Sequence, residues 1–464
     1  MTESDSVELY DDELDVLWDE HPDDSEGLSS STVSTFPLEI WEYIMEYLWD
    51  DTPSLKACSR TCRAWLQRAQ LYIFLTITIS WHCCELWQTR LTESPHITRY
   101  VRNLILVQNP TGRWIGPCDP AVYMLGLGLL LSIWQRPNQV QCLFLSGWRS
   151  AHVSEELREQ IPTLFSMVKL IHFQHCYFEP SDFFLIVGGC PQLSTIAIEG
   201  TAVYRNMPLS LDLTQMYPKT ETALRILRLN HMCSTKFPPL SSQCLLKGPF
   251  DLRISWMKFC IISDLTETQA FLSTAGSALR HLIVSLTSFV VPPCTTLEQL
   301  NLLGNTRLSS LLVHLSTDLF FSGLPSFLSR VDDTHSIERI YIHLCVGYSS
   351  LTDILYWAPV DQQLSRIARL FKDQSPVVVT FYLDAGTIME PKSQTVIQGM
   401  ADLLQQRLQD LQTERCRLRI VRADIYHTST VIKDTPFRRA TAITLYDSEP
   451  DGVVIPDVSI LEEE

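Results

Sequence analysis

Residues 168–178 read VKLIHFQHCYF. Val168, Ile171 and Phe173 are apolar at i, i+3 and i+5, followed by Cys176 and Phe178. Ile171 and Phe173 alternate, so on a short strand they share one face. A Cys or Asn three residues on turns its side chain inward at the strand's end, where it can bond backbone groups that have no ladder partner. One such strand cannot bury its own apolar face, so the stretch implies neighbours of the same design.

The chain supplies them. The same apolar spacing recurs at Val101, Leu104, Leu106; Val140, Leu143, Leu145; Leu193, Ile196, Ile198; and Leu224, Leu227, Leu229. It continues at Leu279, Leu282, Val284; Leu297, Leu300, Leu302; and Ile337, Ile340, Ile342, with Asn109, Cys176, Asn305 and Cys345 at the following polar position. This is the spacing of leucine-rich repeats. The period is loose: 55 residues separate Leu227 from Leu282, a gap that could hold a degenerate copy at Leu252, Ile254, Trp256. Between copies lie helix candidates such as SDFFLIVGGCPQL at 181–193, ended by Gly189 and Pro191. Beyond 345, DQQLSRIARLFKD reads as an amphipathic helix and VVVTFYL (377–383) as a buried strand. Ile397, Met400, Leu404, Leu408 and Leu411 mark a further helix, and Leu418 and Ile420 start another strand. The expected fold is α/β, an irregular leucine-rich-repeat-like solenoid over 71–445 with a C-terminal cap.

The termini differ in kind. The chain has 464 residues and a formal net charge of −17. Residues 1–55 hold seventeen Asp and Glu and no Lys or Arg, leaving the remainder balanced at 36 of each sign. Residues 1–34 read as an acidic, disorder-prone tail and 446–464 as a second acidic tail. Within the first, Tyr10, Leu14, Leu17 and Trp18 form a short apolar island. The acidic head opposes a phosphate backbone, so nucleic acid is not an expected partner. The longest apolar run, AVYMLGLGLLLSIW at 121–134, has fourteen residues, short for a bilayer span. The first residues are acidic where a secretory signal needs a basic segment, so cytoplasm or nucleus is the expected location.

Residues 36–65, FPLEIWEYIMEYLWDDTPSLKACSRTCRAW, form a third pattern. Pro37 suits a first helical turn, and Ile40, Ile44 and Leu48 then line one face. Asp51 or Thr52 can cap a second helix with Pro53 in its first turn. Leu55, Cys58 and Cys62 continue the apolar face, and Trp65, Leu66 and Ala69 close a third helix. A helical unit over 35–70 is too small to bury much and carries apolar surface to spare for a partner.

This unit resembles an F-box, on Phe36-Pro37-Leu38-Glu39-Ile40, Ile44, Leu48, Leu55, Cys58 and Cys62-Arg63-x-Trp65. The likeness is to F-box proteins abundant in mushroom-forming fungi. Phe36 and Thr61 depart from it, standing where Leu and Val are usual. The resemblance implies docking on a Skp-type adaptor and through it a cullin. The adaptor-binding residues would be Phe36, Pro37, Leu38, Ile40, Ile44 and Leu48, with Leu55, Cys58, Cys62 and Trp65 holding the helices together and contributing to the same surface. It also implies a substrate-recognition subunit of a cullin–RING ubiquitin ligase, with the repeat body holding a protein substrate. Trp114, Trp148, Tyr177 and Trp256 fall at or just past strand positions; core packing is their favoured reading, and anchoring of that substrate is the other.

No catalytic or cofactor motif stands out. Gly126-Leu127-Gly128 lacks the third glycine of a dinucleotide loop. His82-Cys83-Cys84 and His172-x-x-His175-Cys176 lack a second ligand pair at zinc spacing. The expected protein is therefore neither an enzyme nor a metal or cofactor binder. The other readings are an interaction scaffold without ubiquitin transfer and, behind it, an αβ enzyme with an unrecognised site.

Overall fold

The computed structural model describes residues 38–49, 51–80, 83–108, 127–128, 131, 139–150, 155–199, 202–203, 223–230, 244–246, 248, 250–261, 265–286, 300–315, 323–345, 357–371, 376–384, 392–413, 416–423 and 442–447. The chain divides into two units, Met1–Ile73 and Phe74–Glu464.

In the first unit, helices α1 (Leu38–Tyr47), α2 (Thr52–Ser59) and α3 (Arg63–Ile73) follow one another. Asp51 caps α2. Its carboxylate accepts from the Ser54 backbone N–H at 3.1 Å and from the Ser54 hydroxyl at 2.6 Å, and these bonds hold its pKa below the usual carboxylate value. Met45, Leu55 and Ala69 form a small core, with Leu48, Cys58, Trp65, Tyr72 and Ile73 packed on it. The Trp41 and Trp65 rings lie 4.5 Å apart and tie α1 to α3. Helix α3 runs three residues past the expected boundary at 70, because Tyr72 and Ile73 belong to this core.

The second unit is a mixed α/β body built on one long sheet. Strands β1 (Thr76–Ser80), β2 (Asn103–Val107), β3 (Cys142–Ser146) and β4 (Leu170–Gln174) open it. After them come β5 (Tyr177–Phe178), β6 (Thr195–Glu199), β7 (Ala202–Val203), β8 (Ala223–Asn230) and β9 (Asp251–Ile261). The rest are β10 (His281–Leu286), β11 (Ser310–Leu315), β12 (Arg339–Cys345), β13 (Val377–Asp384), β14 (Cys416–Ala423) and β15 (Ala442–Asp447). All except β5 and β7 join a thirteen-stranded sheet in chain order; β5 and β7 pair separately. The long sheet is parallel until β15, which pairs antiparallel to β14. Strand β15 reaches Asp447, two residues into the expected acidic tail. Helices α4 (Cys84–Glu93), α5 (Glu155–Leu164), α6 (Pro180–Gly188), α7 (Leu265–Ala275), α8 (Leu324–Leu328), α9 (Trp357–Leu370), α10 (Lys392–Arg407) and α11 (Gln409–Thr413) lie in the connections. Among the described residues no helix is long and apolar enough to cross a membrane. The apolar run at 121–134 falls mostly outside them; within it Leu127 and Leu131 are buried.

Register explains why the strands stack. Ile77, Leu104, Leu143, Ile171, Ile196 and Leu227 are successive ladder partners. Met257, Leu282, Leu311, Ile340, Val379 and Leu418 continue the row. The row two residues on runs from Ile79 through Phe173, Phe259 and Phe381 to Ile420, and both rows are buried throughout. The helices cover this face: Phe183 of α6 packs 5.6 Å from Phe173, and Trp357 of α9 packs 6.1 Å from Phe381.

Two repeat positions require correction. Leu300 and Leu302 are buried but lie outside the sheet; the strand is formed instead by Leu308-x-x-Leu311-x-Val313. In the 55-residue gap the inward positions are Ile254, Met257 and Phe259, not Leu252, Ile254 and Trp256. Strand β9 is apolar on both sides, so its sequence alone cannot fix which alternate set points inward. With these registers the steps from Leu227 to Met257, Leu282, Leu311 and Ile340 are 30, 25, 29 and 29 residues, and the loose period tightens.

The polar ends of the repeats behave as their chemistry requires. The buried Cys176 thiol donates to the Leu145 and Gln174 carbonyls, at 3.1 and 3.3 Å. Asn305 acts before β11 rather than after a strand. Its side-chain amide donates to the Leu272 and Gly276 carbonyls at 2.9 Å each, satisfying the end of α7. Asn109 lies outside the described residues. Cys84, Cys190 and Cys244 are buried thiols, and burial raises their pKa values to about 11, 12 and 12.

Candidate functional site

Two groups of residues stand apart from the main core rows. The first is on α1. Ile40 is 45 % exposed, Tyr43 70 %, Ile44 36 % and Tyr47 75 %. Their spacing of i, i+3, i+4, i+7 sets them in one stripe of the helix. Met45 and Trp41 take the inward side of the same helix. The core thus consumes one face of α1 and leaves an apolar, aromatic stripe in water. Of the expected adaptor residues, Ile40 and Ile44 lie on this stripe, and Leu38 opens α1. Leu48, Cys58 and Trp65 are half-buried against the core, and Cys62 is half-buried. Leu55 is 1 % exposed and packs in the core with Met45 and Ala69, as a residue expected to hold the helices together. Phe36 and Pro37 lie outside the described residues. The sequence reading missed Tyr43 and Tyr47; their signal was the i+3 and i+7 spacing from Ile40, passed over in favour of spacing four.

The second is on the other face of the long sheet. Side chains between the two core rows point to it by the pleat. One rung reads Arg228, Lys258, Ile283, Leu312, Tyr341, Thr380, Arg419 across β8 to β14. The rung before it reads Ile226, Trp256, His281, Ser310, Arg339, Val378, Arg417. The rung after it reads Ser285, His314, His343, Tyr382, Val421 across β10 to β14. None of these positions is Asp or Glu. Trp256, Ile283, Leu312, Tyr341, Tyr382 and Val421 pack into one apolar cluster with Ile226 beside it. The Arg228 guanidinium lies 5.1 Å from the centre of the Trp256 ring. The His314 and His343 rings stack at 4.4 Å. Burial raises the Tyr341 pKa, and the nearby Arg339 and Arg419 charges pull it back down.

Toward β2–β6 the same face changes character. Phe144 packs edge-on to His172 at 4.5 Å. His172 Nε2 lies 3.6 Å from Glu199 Oε2, and Gln174 donates to the same oxygen at 3.3 Å. The Ser146 hydroxyl donates to Gln174 Oε1 at 3.2 Å. The bond from His172 holds Glu199 below the usual glutamate value against its burial. Here the polar groups satisfy one another.

The expected substrate anchors divide accordingly. Trp148 is 3 % and Trp256 4 % exposed, so both are packing residues, not projecting anchors. Tyr177 is half-buried beneath the Arg149 guanidinium, 5.4 Å from its ring centre. Trp114 lies outside the described residues. Of the histidine and cysteine motifs, His172 pairs with Glu199 and Cys176 with backbone, as above. His82 lies outside the described residues, in which no group of three potential ligands gathers. The pair most like a catalytic dyad is His335 and Asp332, with Nδ1 2.8 Å from Oδ1. His335 Nε2 donates to the Leu302 carbonyl at 3.0 Å, so this pair fastens a turn before β12.

No family model matches this chain, and no curated protein matches it.

Proposed function

We propose that the protein is a substrate receptor of a cullin–RING ubiquitin ligase. The helical unit is read as an F-box that binds a Skp-type adaptor and, through it, cullin. The body is read as an irregular leucine-rich-repeat solenoid that holds a protein substrate. The covalent chemistry belongs to the other subunits, and this chain contributes proximity and orientation. The observation that supports the reading best is the α1 stripe of Ile40, Tyr43, Ile44 and Tyr47, left exposed by a helical unit whose core lies on the opposite side.

The test is co-purification of the tagged full-length chain with Skp-type adaptor and cullin from a fungal extract, beside an Ile40→Asp, Ile44→Asp variant. Both residues are exposed, so circular dichroism should be unchanged. The expected result is capture of adaptor and cullin by the natural chain and loss of both by the variant. A natural chain that captures neither overturns the reading.

A further inference from the structure

The strand-start edge of the long sheet carries a row of side chains that neither face uses. Backbone bonds trace the row. The Arg102 carbonyl accepts the Gln141 and Cys142 N–H groups at 2.7 and 3.0 Å, the Gln141 carbonyl accepts from Lys169, and the Lys169 carbonyl accepts from Ser194. The Ser194 carbonyl then accepts from Arg225, that of Ser255 from Arg280, and that of Arg280 from Ser309. The hydroxyls of Ser194, Ser255 and Ser309 donate to the carbonyls of Lys169, Arg225 and Arg280, at 3.3, 3.4 and 3.2 Å. Cations thus stand at the start of β2, β4, β8 and β10, every second strand of the sheet, with Gln or Ser between them. Lys169, Arg225 and Arg280 are exposed, and none of the three has an ion-pair partner among the described residues. Arg102 is half-buried, and its guanidinium donates to the Arg99 carbonyl and the Gln139 side chain at 2.9 and 2.8 Å. The stretches 100–102, 139–141, 167–169, 192–194, 223–225, 253–255, 278–280 and 307–309 contain no Asp or Glu, and they add Arg253 and Arg307, both exposed. Arg253 is held by Asp251 at 2.7 Å. Glu338 takes the next place in the series, before β12, and the cationic row ends there. Residues outside 1–55 are neutral overall, so this run of one sign is a local concentration.

We infer that this edge docks an acidic segment of a partner protein, laid across the strands, with a carboxylate at every third residue. The inference stands apart from the proposed function, which adds only that the partner is the substrate. Two strand spacings are about 10 Å, and three residues of extended peptide rise about the same distance. A carboxylate at each third position therefore meets Lys169, Arg225 and Arg280 in turn, and one more reaches Arg102 at the end of the row. The short side chains of Ser194 and Ser255 between these cations leave room for a peptide to lie along the edge. Guanidinium groups take carboxylates through paired hydrogen bonds, which fixes the register of the segment. Single-stranded nucleic acid suits the edge less well. It needs aromatic faces for its bases, and the one aromatic residue in the eight stretches is the buried Tyr100.

The experiment is fluorescence anisotropy on the purified full-length chain with a labelled decapeptide that carries Glu at every third position, both ends included, and Ser or Ala elsewhere. Three further probes accompany it: a peptide of the same composition with its Glu residues together at one end, the spaced peptide with Gln for every Glu, and a single-stranded oligonucleotide of equal charge. The spaced acidic peptide should bind best and weaken as salt rises. A Lys169→Gln, Arg225→Gln, Arg280→Gln variant should bind it at least tenfold more weakly. Its circular dichroism should be unchanged, because all three side chains are exposed. The control removes the same charge elsewhere: Arg330→Gln, Arg369→Gln, Arg407→Gln alters three exposed arginines beyond β11 and should leave binding within twofold. The inference is overturned by no binding of the spaced peptide, by unchanged binding in the first variant, by an equal loss in the control, or by preference for the clustered peptide, the Gln peptide or the oligonucleotide. Adaptor capture is scored separately. Peptide binding without adaptor capture sinks only the ligase reading; adaptor capture without peptide binding sinks only this one.

Discussion

The two faces of the long sheet are built from the same strands and obey different rules. The helix-covered face carries Ile77, Leu104, Leu143 and their ladder partners in unbroken aliphatic and aromatic rows. The second face carries Arg, Lys, His, Tyr, Thr and Trp with no such repetition. The first face answers to packing: each rung must fill the space left by its neighbours and the helices above, so one residue class is repeated. The second face also packs, with Trp256, Ile283, Leu312, Tyr341, Tyr382 and Val421 buried in one cluster, but it mixes that cluster with cationic and polar side chains instead of repeating one class.

The comparison breaks first if the covered face tolerates truncation. Phe381 is fully buried against Trp357, and Phe381→Ala should cost about 3–5 kcal/mol, read as a lower urea midpoint. Asn305→Ala should cost about 2 kcal/mol, because it leaves the Leu272 and Gly276 carbonyls without their buried donor. A loss as small as that of an exposed Asn would show that the end of α7 does not depend on it.

His175 tests strand-end geometry. Its φ of 49° matches the 67° of Gly147 at the equivalent place one strand earlier. Each N–H donates to the carbonyl of the last residue on the next strand, at 2.8 Å. His175→Val should cost about 1–2 kcal/mol, while His175→Gly stays within about 0.5 kcal/mol. Equal losses would remove the backbone argument.

The polar end of the second face should respond to acid. Glu199 has its pKa lowered by His172, so its contribution is present above the ordinary glutamate value of 4.5. That contribution disappears as pH falls through the lowered value in the folded state. Glu199→Gln should therefore be less stable than the natural chain near pH 6, by about 1 kcal/mol, and the gap should close in acid. A gap that persists at about pH 3 would contradict this sign. The smallest expected effect sharpens the contrast: Lys258→Gln should shift stability by no more than about 0.5 kcal/mol, since it removes charge from the second face and leaves the core rows untouched.

Much of the covered face was legible. Seven of the eight quoted repeats place their last two apolar residues on strands β2, β3, β4, β6, β8, β10 and β12, because spacing i, i+3, i+5 is a local property. The DQQLSRIARLFKD helix and the 377–383 strand were legible for the same reason. The helix through Ile397 and Leu411 was expected as one piece, and it breaks at Leu408 into α10 and α11. There the buried Asp361 carboxylate accepts the Asp410 and Leu411 N–H groups at 2.9 Å each, from 49 and 50 residues away in the chain. Such a long-range cap leaves no local signature.

The sequence by itself determined that apolar strands recur, that a helical unit precedes them, and that the net negative charge is confined to 1–55. These follow from periodicity and composition, which need no knowledge of neighbours. Tertiary structure decided the register of β9 and β11, and with it which residues are core and which are surface. It placed Trp256 in the packed centre of the second face and Leu55 in the core of the helical unit. It also brought Arg228, Lys258, Arg339 and Arg419 onto one face of the sheet, although nearly 200 residues of chain separate the first from the last. A parallel ladder sets side by side what the chain holds far apart, and only hydrogen-bond register fixes which of two faces each side chain takes.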